Sequence, residues 1–459
     1  MNLVILFLFI ALGVLFGLDF IFGKKRFSFD QLLLSVWSFS IGISQLHLSR
    51  LEQPWTIKFW FILALFFGLF IVATKFFDKF WQKKIPLLGG EVVIKEKLFF
   101  WILLGLTLTS IACNYYIYQH FNTLPILSSN PDKLRFIINK EIFGLWEYLA
   151  LLPRLIIPFT FVYLVMTKSK KVWPKVLAIL NIIIGFGLLS LYSSRLTLVV
   201  AILMCYFIYL ILRFKQFSFK KVIGASAVVV AVVLFISIAI PLFRQNITYR
   251  DYYKDVNEAS YSYLYNLTEL NIPKQYGWIT PVYIIPSLNL QAMMRATSFF
   301  SWQNFYFGQY ELSVFYPITK HFDPSFATGL VPWKAMFQYW WITATFMFDY
   351  WIDFGWVGII LGAIWWGALL SGIYWWAVRR PGFISAMLFA YFGFVTIMTI
   401  YTNYFIRQEF FMDLAVILMI GIILNWNNKY KLAKYTQLLS KILDIYLKKC
   451  YNKGVIFLK

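Results

Sequence analysis

Residues 222–243 read VIGASAVVVAVVLFISIAIPLF, an uncharged run held between Lys220-Lys221 and Arg244. As a helix it would rise about 33 Å, enough for a hydrocarbon core about 30 Å thick. A backbone in lipid has to satisfy its own hydrogen bonds, so such a run reads as a transmembrane helix. Comparable runs lie on both sides of it. They are Leu3–Phe22, Gln31–Leu48, Trp55–Ala73, Leu98–Tyr118, Trp146–Met166, Val176–Tyr192 and Leu196–Leu212 before it, and Gly355–Ala377, Phe383–Tyr401 and Phe411–Trp426 after it. The pattern predicts an all-α polytopic protein with about 11 spans. Composition agrees: 61% of the 459 residues are hydrophobic and 14% charged, far from the balance of a soluble domain.

The first run has no basic residue before it and Lys24, Lys25 and Arg26 after it, the reverse of a signal peptide. It is expected to stay as a span with the N-terminus outside, which leaves the C-terminus in the cytoplasm. The inward segments are then 23–29, 75–97, 168–175, 213–221, 378–382 and 427–459. They hold 27 of the 42 Lys and Arg and only four of the 20 Asp and Glu. The net charge of +22 is thus a topology signal and a match to anionic lipid, and no nucleic-acid partner is expected. Residues 427–459 carry apolar positions at helical spacing among lysines and read as a cytoplasmic amphipathic tail. Residues 1–426 form the membrane domain.

Two outer segments are long, 119–145 and, between spans 8 and 9, 244–354. The second is rich in aromatic and amide side chains, and a stretch such as Ser287–Phe300 is expected to lie at the outer interface as an amphipathic helix. Arginines are the unusual feature of this side: Arg50, Arg135, Arg154, Arg195, Arg244, Arg250, Arg295 and Arg407, against four in the inward segments. Arginine is favoured where a planar fork grips phosphate or carboxylate. Arg154 and Arg195 sit at depths where charge is costly, which makes them functional candidates. The structural alternative pairs such residues with Glu147, Asp353 or Asp413. An anionic ligand reached from the membrane, such as a lipid-linked diphosphate, fits the set, and sugars fit the aromatic loop. With His47, His120 and His321 the only histidines and no phosphate-binding glycine loop, neither a metal centre nor a cofactor is expected. Cys113, Cys205 and Cys450 suggest no disulfide framework.

The stretch Phe121-Asn122-Thr123-Leu124-Pro125-Ile126-Leu127-Ser128-Ser129-Asn130-Pro131-Asp132-Lys133-Leu134-Arg135 resembles the first outer-loop motif of Wzy-type oligosaccharide repeat-unit polymerases of O-antigen and capsule synthesis. Ser193-Ser194-Arg195 before an apolar span is similar to their Ser-Arg element. Thr343–Gly358, with Asp349, Asp353, Phe354, Gly355 and Gly358, is similar to their aspartate-phenylalanine-glycine stretch. One spacing departs: Arg135 precedes Gly144 and Arg295 precedes Gly308, where some members place glycine eleven positions after the arginine.

The resemblance implies a glycosyltransferase C-type architecture in a bacterial inner membrane. It also implies polymerisation of undecaprenyl-diphosphate-linked units at the outer face, for O-antigen, capsule or exopolysaccharide, with a chain-length regulator and a flippase as further partners. Arg135, Arg195 and Arg295 would hold diphosphate or stabilise it as it leaves, with Arg154, Arg244 and Arg250 in reserve. His321, Asp353 and Glu311 are the rival bases. An O-antigen ligase and a flippase or transporter of lipid-linked oligosaccharide are the alternatives.

Overall fold

A computed structural model describes residues 3–86, 96–141, 144–167, 171–213, 219–248, 265–266, 268–315 and 343–426. Arg250, His321 and the basic tail 427–459 lie outside the described residues. Fourteen helices carry most of the described chain: α1 Leu3–Phe22, α2 Phe29–Ser44, α3 Ile57–Lys84, α4 Glu96–Phe121, α5 Pro131–Glu141, α6 Gly144–Ala150, α7 Pro153–Met166, α8 Val172–Leu191, α9 Arg195–Leu212, α10 Phe219–Thr248, α11 Thr280–Phe299, α12 Phe346–Arg379, α13 Phe383–Met398 and α14 Gln408–Trp426. The architecture is all-α, with one isolated antiparallel bridge, Ser49 to Leu270.

Eight described helical stretches are long and apolar enough to cross a membrane: α1, α3, α4, the α6–α7 pair, α8, α9, α10 and α12. The other three apolar runs fall on α2, α13 and α14. α2 and α13 have 16 residues each, a rise of about 24 Å and short of the core thickness.

Packing pairs α3 with α12 and α1 with α2, sets α7 against α8 and α9, and sets α13 against α9. The core is aromatic. Phe346, at the start of α12, meets Trp366 at 5.0 Å, Phe66 at 5.2 Å and Trp37 at 5.6 Å between ring centroids. Its N–H donates to the Thr399 carbonyl (2.9 Å), and the Trp37 indole donates to Thr399 Oγ1 (2.9 Å). At the basic end, Lys25 bridges Asp30 (3.1 Å) and Asp78 (2.8 Å), and Ser371 and Trp375 also donate to Asp78. Asp78 therefore ties the 23–28 turn to α3 and α12.

The helix expected at the outer interface is instead internal. α11 begins at Thr280 and packs against α2, α10 and α12, with most of its residues buried. Its polar residues, which suggested a wetted face, pin neighbouring backbone. Asn289 Nδ2 donates to the Ile400 carbonyl (3.2 Å), and Gln291 exchanges two hydrogen bonds with the backbone of Gln53 (2.9 and 3.1 Å). Buried polar groups with such partners cost far less than free ones.

α12 starts nine residues before the apolar run that announced it and breaks at Gly355, whose φ of 56° and ψ of −128° are non-helical. A Cβ at Gly355 would sit 2.5 Å from the Phe305 ring, and one at Gly358 would sit 2.0 Å from the Tyr350 carbonyl oxygen. Gly355→Ala is expected to destabilise the protein by about 1–3 kcal/mol, from backbone strain and the clash with Phe305. Gly105→Ala, where a Cβ meets nothing within 4 Å, serves as the control. Thermal unfolding of both variants in the same detergent checks this, and equal melting temperatures would contradict it.

Candidate functional site

The turn between α8 and α9 places the first arginine. Ser193 takes a positive φ of 50° and Ser194 is extended, so the chain reverses within two residues and α9 opens on Arg195. Arg195 is partly exposed at the head of a cavity of about 320 Å³ between α9, α10, α11 and α13. The walls are almost wholly aliphatic: Leu196, Val199 and Leu203 from α9, Val229, Val233 and Leu234 from α10, and Ile285, Ile397 and Ile400 opposite. Among the described residues the hydrogen bond of Arg195 is a long one, Nη1 to the Ser237 carbonyl at 3.4 Å. Arg244 stands seven residues beyond Ser237 on α10. It shares that face of the helix, about 10 Å further along the axis. α5, which carries Arg135, packs against α10.

The far wall of this groove runs into a second group of side chains. Tyr401 lines the groove, and two residues on Asn403 donates to Glu311 Oε1 at 3.2 Å. Asp353 and Asp349 stand beside Glu311 on the first arm of α12, with Arg407 close to Asp349. The three carboxylates differ in what they are free to do. Asp353 is fully buried and accepts the backbone N–H of Tyr310 (3.1 Å) on Oδ1 and of Glu311 (2.7 Å) on Oδ2. It is the cap of the 309–315 turn. Burial, reinforced by the nearby Asp353 charge, pushes the Glu311 carboxyl up to about 8, so Glu311 holds its proton at neutral pH. Asp349 is buried, and its Oδ2 has no hydrogen-bond partner among the described residues.

Arg154 has a different role. Its Nη2 lies 3.0 Å from Asp413 Oδ1, and the hydroxyls of Tyr148 (3.0 Å) and Tyr391 (3.1 Å) donate to the same carboxylate. All four residues are buried. The pairing with Asp413, one of the alternatives open in the sequence, makes this arginine a tie between α7, α13 and α14. Arg135 lies over the Tyr192 ring at 5.8 Å, and Glu147 stands among Arg135, Arg154 and Tyr192. Arg295 is not part of the groove. Its Nη2 donates to the Leu51 carbonyl, ten residues and about 15 Å along α11 from Ile285. Asn403 and Tyr401 carried no signal in the sequence, being ordinary polar and aromatic residues in an apolar context. Among the described residues no group of three or more His, Cys, Asp or Glu is arranged to hold a metal.

No family model matches the chain, and searches of curated proteins and of solved structures return no match. The architecture by itself establishes an all-α, multi-spanning membrane protein, consistent with a membrane-associated biosynthetic role.

Glu311 supplies a test of this geometry. Its carboxyl rises from an ordinary 4.5 to about 8 on folding. Between those values the folded chain keeps a proton that the unfolded chain has released, so this residue makes stability fall as pH rises. Glu311→Gln is expected to flatten the loss of thermal stability between about pH 5 and 8. An unchanged slope would contradict the buried placement of this carboxyl.

Proposed function

We propose that the chain is a membrane glycosyltransferase that polymerises undecaprenyl-diphosphate-linked oligosaccharide units at the outer face of a bacterial cytoplasmic membrane. In this reading the chain crosses eleven times in a glycosyltransferase C-type arrangement, N-terminus outside and C-terminus in the cytoplasm. The product is a surface polysaccharide such as O-antigen or capsule, with a chain-length regulator and a flippase as partners. The observation that carries the reading is Arg195 at the head of an aliphatic groove. A polyprenyl chain suits such walls, because burying each CH₂ is worth about 0.8 kcal/mol. A diphosphate at the end of that chain would meet a guanidinium at a helix N-terminus, where both charge and dipole favour an anion.

The reaction asks two things of the protein. A hydroxyl oxygen of the acceptor sugar bonds to the anomeric carbon while the anomeric C–O bond to the diphosphate breaks, and the electron pair leaves on the diphosphate. Arg195 stabilises that growing charge, with Arg135 and Arg244 at the same end of α10 in support. The proton of the attacking hydroxyl needs an acceptor. Asp353 spends both oxygens on backbone N–H groups. We place the acceptor in this carboxylate group, where Asp349 keeps one oxygen, Oδ2, without a hydrogen-bond partner among the described residues. Asp349 lies three residues, about 4.5 Å of rise, beyond Phe346, whose N–H is fixed to Thr399 next to the groove residue Ile400. Arg154, locked to Asp413, supports the scaffold rather than the diphosphate.

Deleting the gene in the native host and returning either wild type or Arg195→Ala, with membrane levels matched, tests the proposal. Loss of long polymer, with single repeat units on the acceptor lipid, is expected for the deletion. The variant is expected to restore polymer about 10²–10³-fold less well than wild type. Long polymer accumulating on the carrier lipid would mark a ligase instead, and repeat units trapped on the cytoplasmic side a flippase.

A further inference from the structure

A second cavity, of about 760 Å³, opens between the start of α1 and the turn that joins α2 to α3. Its size falls within the roughly 300–1,000 Å³ of small-molecule pockets. Its lining differs in kind from the groove: Trp55 and Trp60 with Glu52, His47, Gln45 and Ser49. The two indole rings lie 4.7 Å apart and tilted by 48°, a broken aromatic wall rather than a sealed stack.

The pocket is rigidly made. Glu52 accepts the Ser49 N–H (3.0 Å) and the Tyr283 hydroxyl (2.8 and 2.9 Å to its two oxygens). Tyr283 Oη accepts in turn the N–H of Leu48 (2.9 Å). The neighbouring turn is clipped to the loop before α11 by Arg50 N to the Glu269 carbonyl and Asn271 N to the Leu48 carbonyl. Tyr283 and Ile285 are two residues apart on α11, hence about 200° apart around the helix. One face of α11 thus builds this pocket while the opposite face lines the groove, and a single helix thickness divides them.

Among the described residues no Lys or Arg lines the pocket. Burial pushes Glu52 up to about 7, so near neutral pH it is only part ionised. Aromatic faces, an amide, a carboxyl, a hydroxyl and an imidazole suit a molecule with apolar ring faces and hydroxyls at its edges. We infer that this pocket, formed by Trp55, Trp60, Glu52, His47 and Gln45, is a binding site for uncharged sugar residues of a glycan, separate from the Arg195 groove. The inference stands on this pocket alone and does not require the transfer reaction proposed above.

The test uses the full chain in lipid nanodiscs. The probe is oligosaccharide released by mild acid from the lipid-linked glycans of native-host membranes, so it carries no lipid and no diphosphate. Saturation-transfer NMR and calorimetry read binding to wild type, Trp55→Phe, Trp60→Leu and Arg195→Ala. Wild type is expected to bind. Trp55→Phe keeps a ring beside Phe59 and removes part of the aromatic face, so binding is expected to weaken about tenfold. Trp60→Leu is expected to weaken it further, and Arg195→Ala to leave it unchanged. No binding to wild type, or binding unaltered in both tryptophan variants, overturns the assignment. Binding lost only in Arg195→Ala also overturns it by placing the sugar at the groove. None of these outcomes bears on whether Arg195→Ala supports polymer in cells, so the two readings fail separately.

Discussion

A helix inside a bilayer cannot leave its carbonyls open, and the break at Gly355 creates open carbonyls. The Ile352 and Asp353 carbonyls, at the end of the first arm of α12, accept the N–H groups of Tyr306 (3.0 Å) and Phe307 (2.9 Å). The Asp353 carboxylate takes the next two free donors, Tyr310 and Glu311. One interruption of one helix therefore docks the 305–311 segment onto α12. Glu311 is carried beside Asp349, and Asn403 closes the group from the turn after α13. The Phe305 ring fills the place where a side chain at 355 would stand. The carboxylate cluster is a consequence of that clasp.

The same constraint orders the rest of the polar interior. Arg154 is tolerable because Asp413, Tyr148 and Tyr391 surround it with a charge and two hydroxyls. Removing one member of such a pair leaves an uncompensated buried charge, and in other proteins that costs about 3–5 kcal/mol. Arg195 escapes this bargain. Among the described residues its hydrogen bond, to the Ser237 carbonyl, is long, and it stands over aliphatic walls. Arg154 and Arg195 differ in that one has its counter-charge built in and the other faces a space.

Much of the fold was legible because lipid imposes a simple code. Each apolar run became a helix. The misreading of α11 has a definite cause. Ser287, Asn289, Gln291 and Thr297 look like a wetted face, yet here such residues hold the Gln53 and Ile400 backbones or bond back within the helix. Periodicity cannot tell a polar side chain that meets water from one that meets a buried backbone group. The site was legible only in part. Arg195 stood out by its depth after two serines, and Asp349 and Asp353 by their spacing. Which carboxylate is spent depends on contacts between residues 38 to 43 positions apart, and no local pattern carries that. The pocket around Glu52 and Trp55 needs a tyrosine from α11, more than 200 positions away.

The use of the groove as the seat of a lipid diphosphate is most directly tested by photo-crosslinking. A polyprenyl diphosphate carrying a diazirine in its chain would be added to the purified protein in nanodiscs and the labelled peptides identified. Label on α9 and α10, around residues 199–203 and 229–234, is expected, and it should fall sharply in Arg195→Ala while an uncharged polyprenol competes poorly. Label spread evenly over the lipid-facing helices, indifferent to Arg195 and to the diphosphate, would contradict the groove as the donor site.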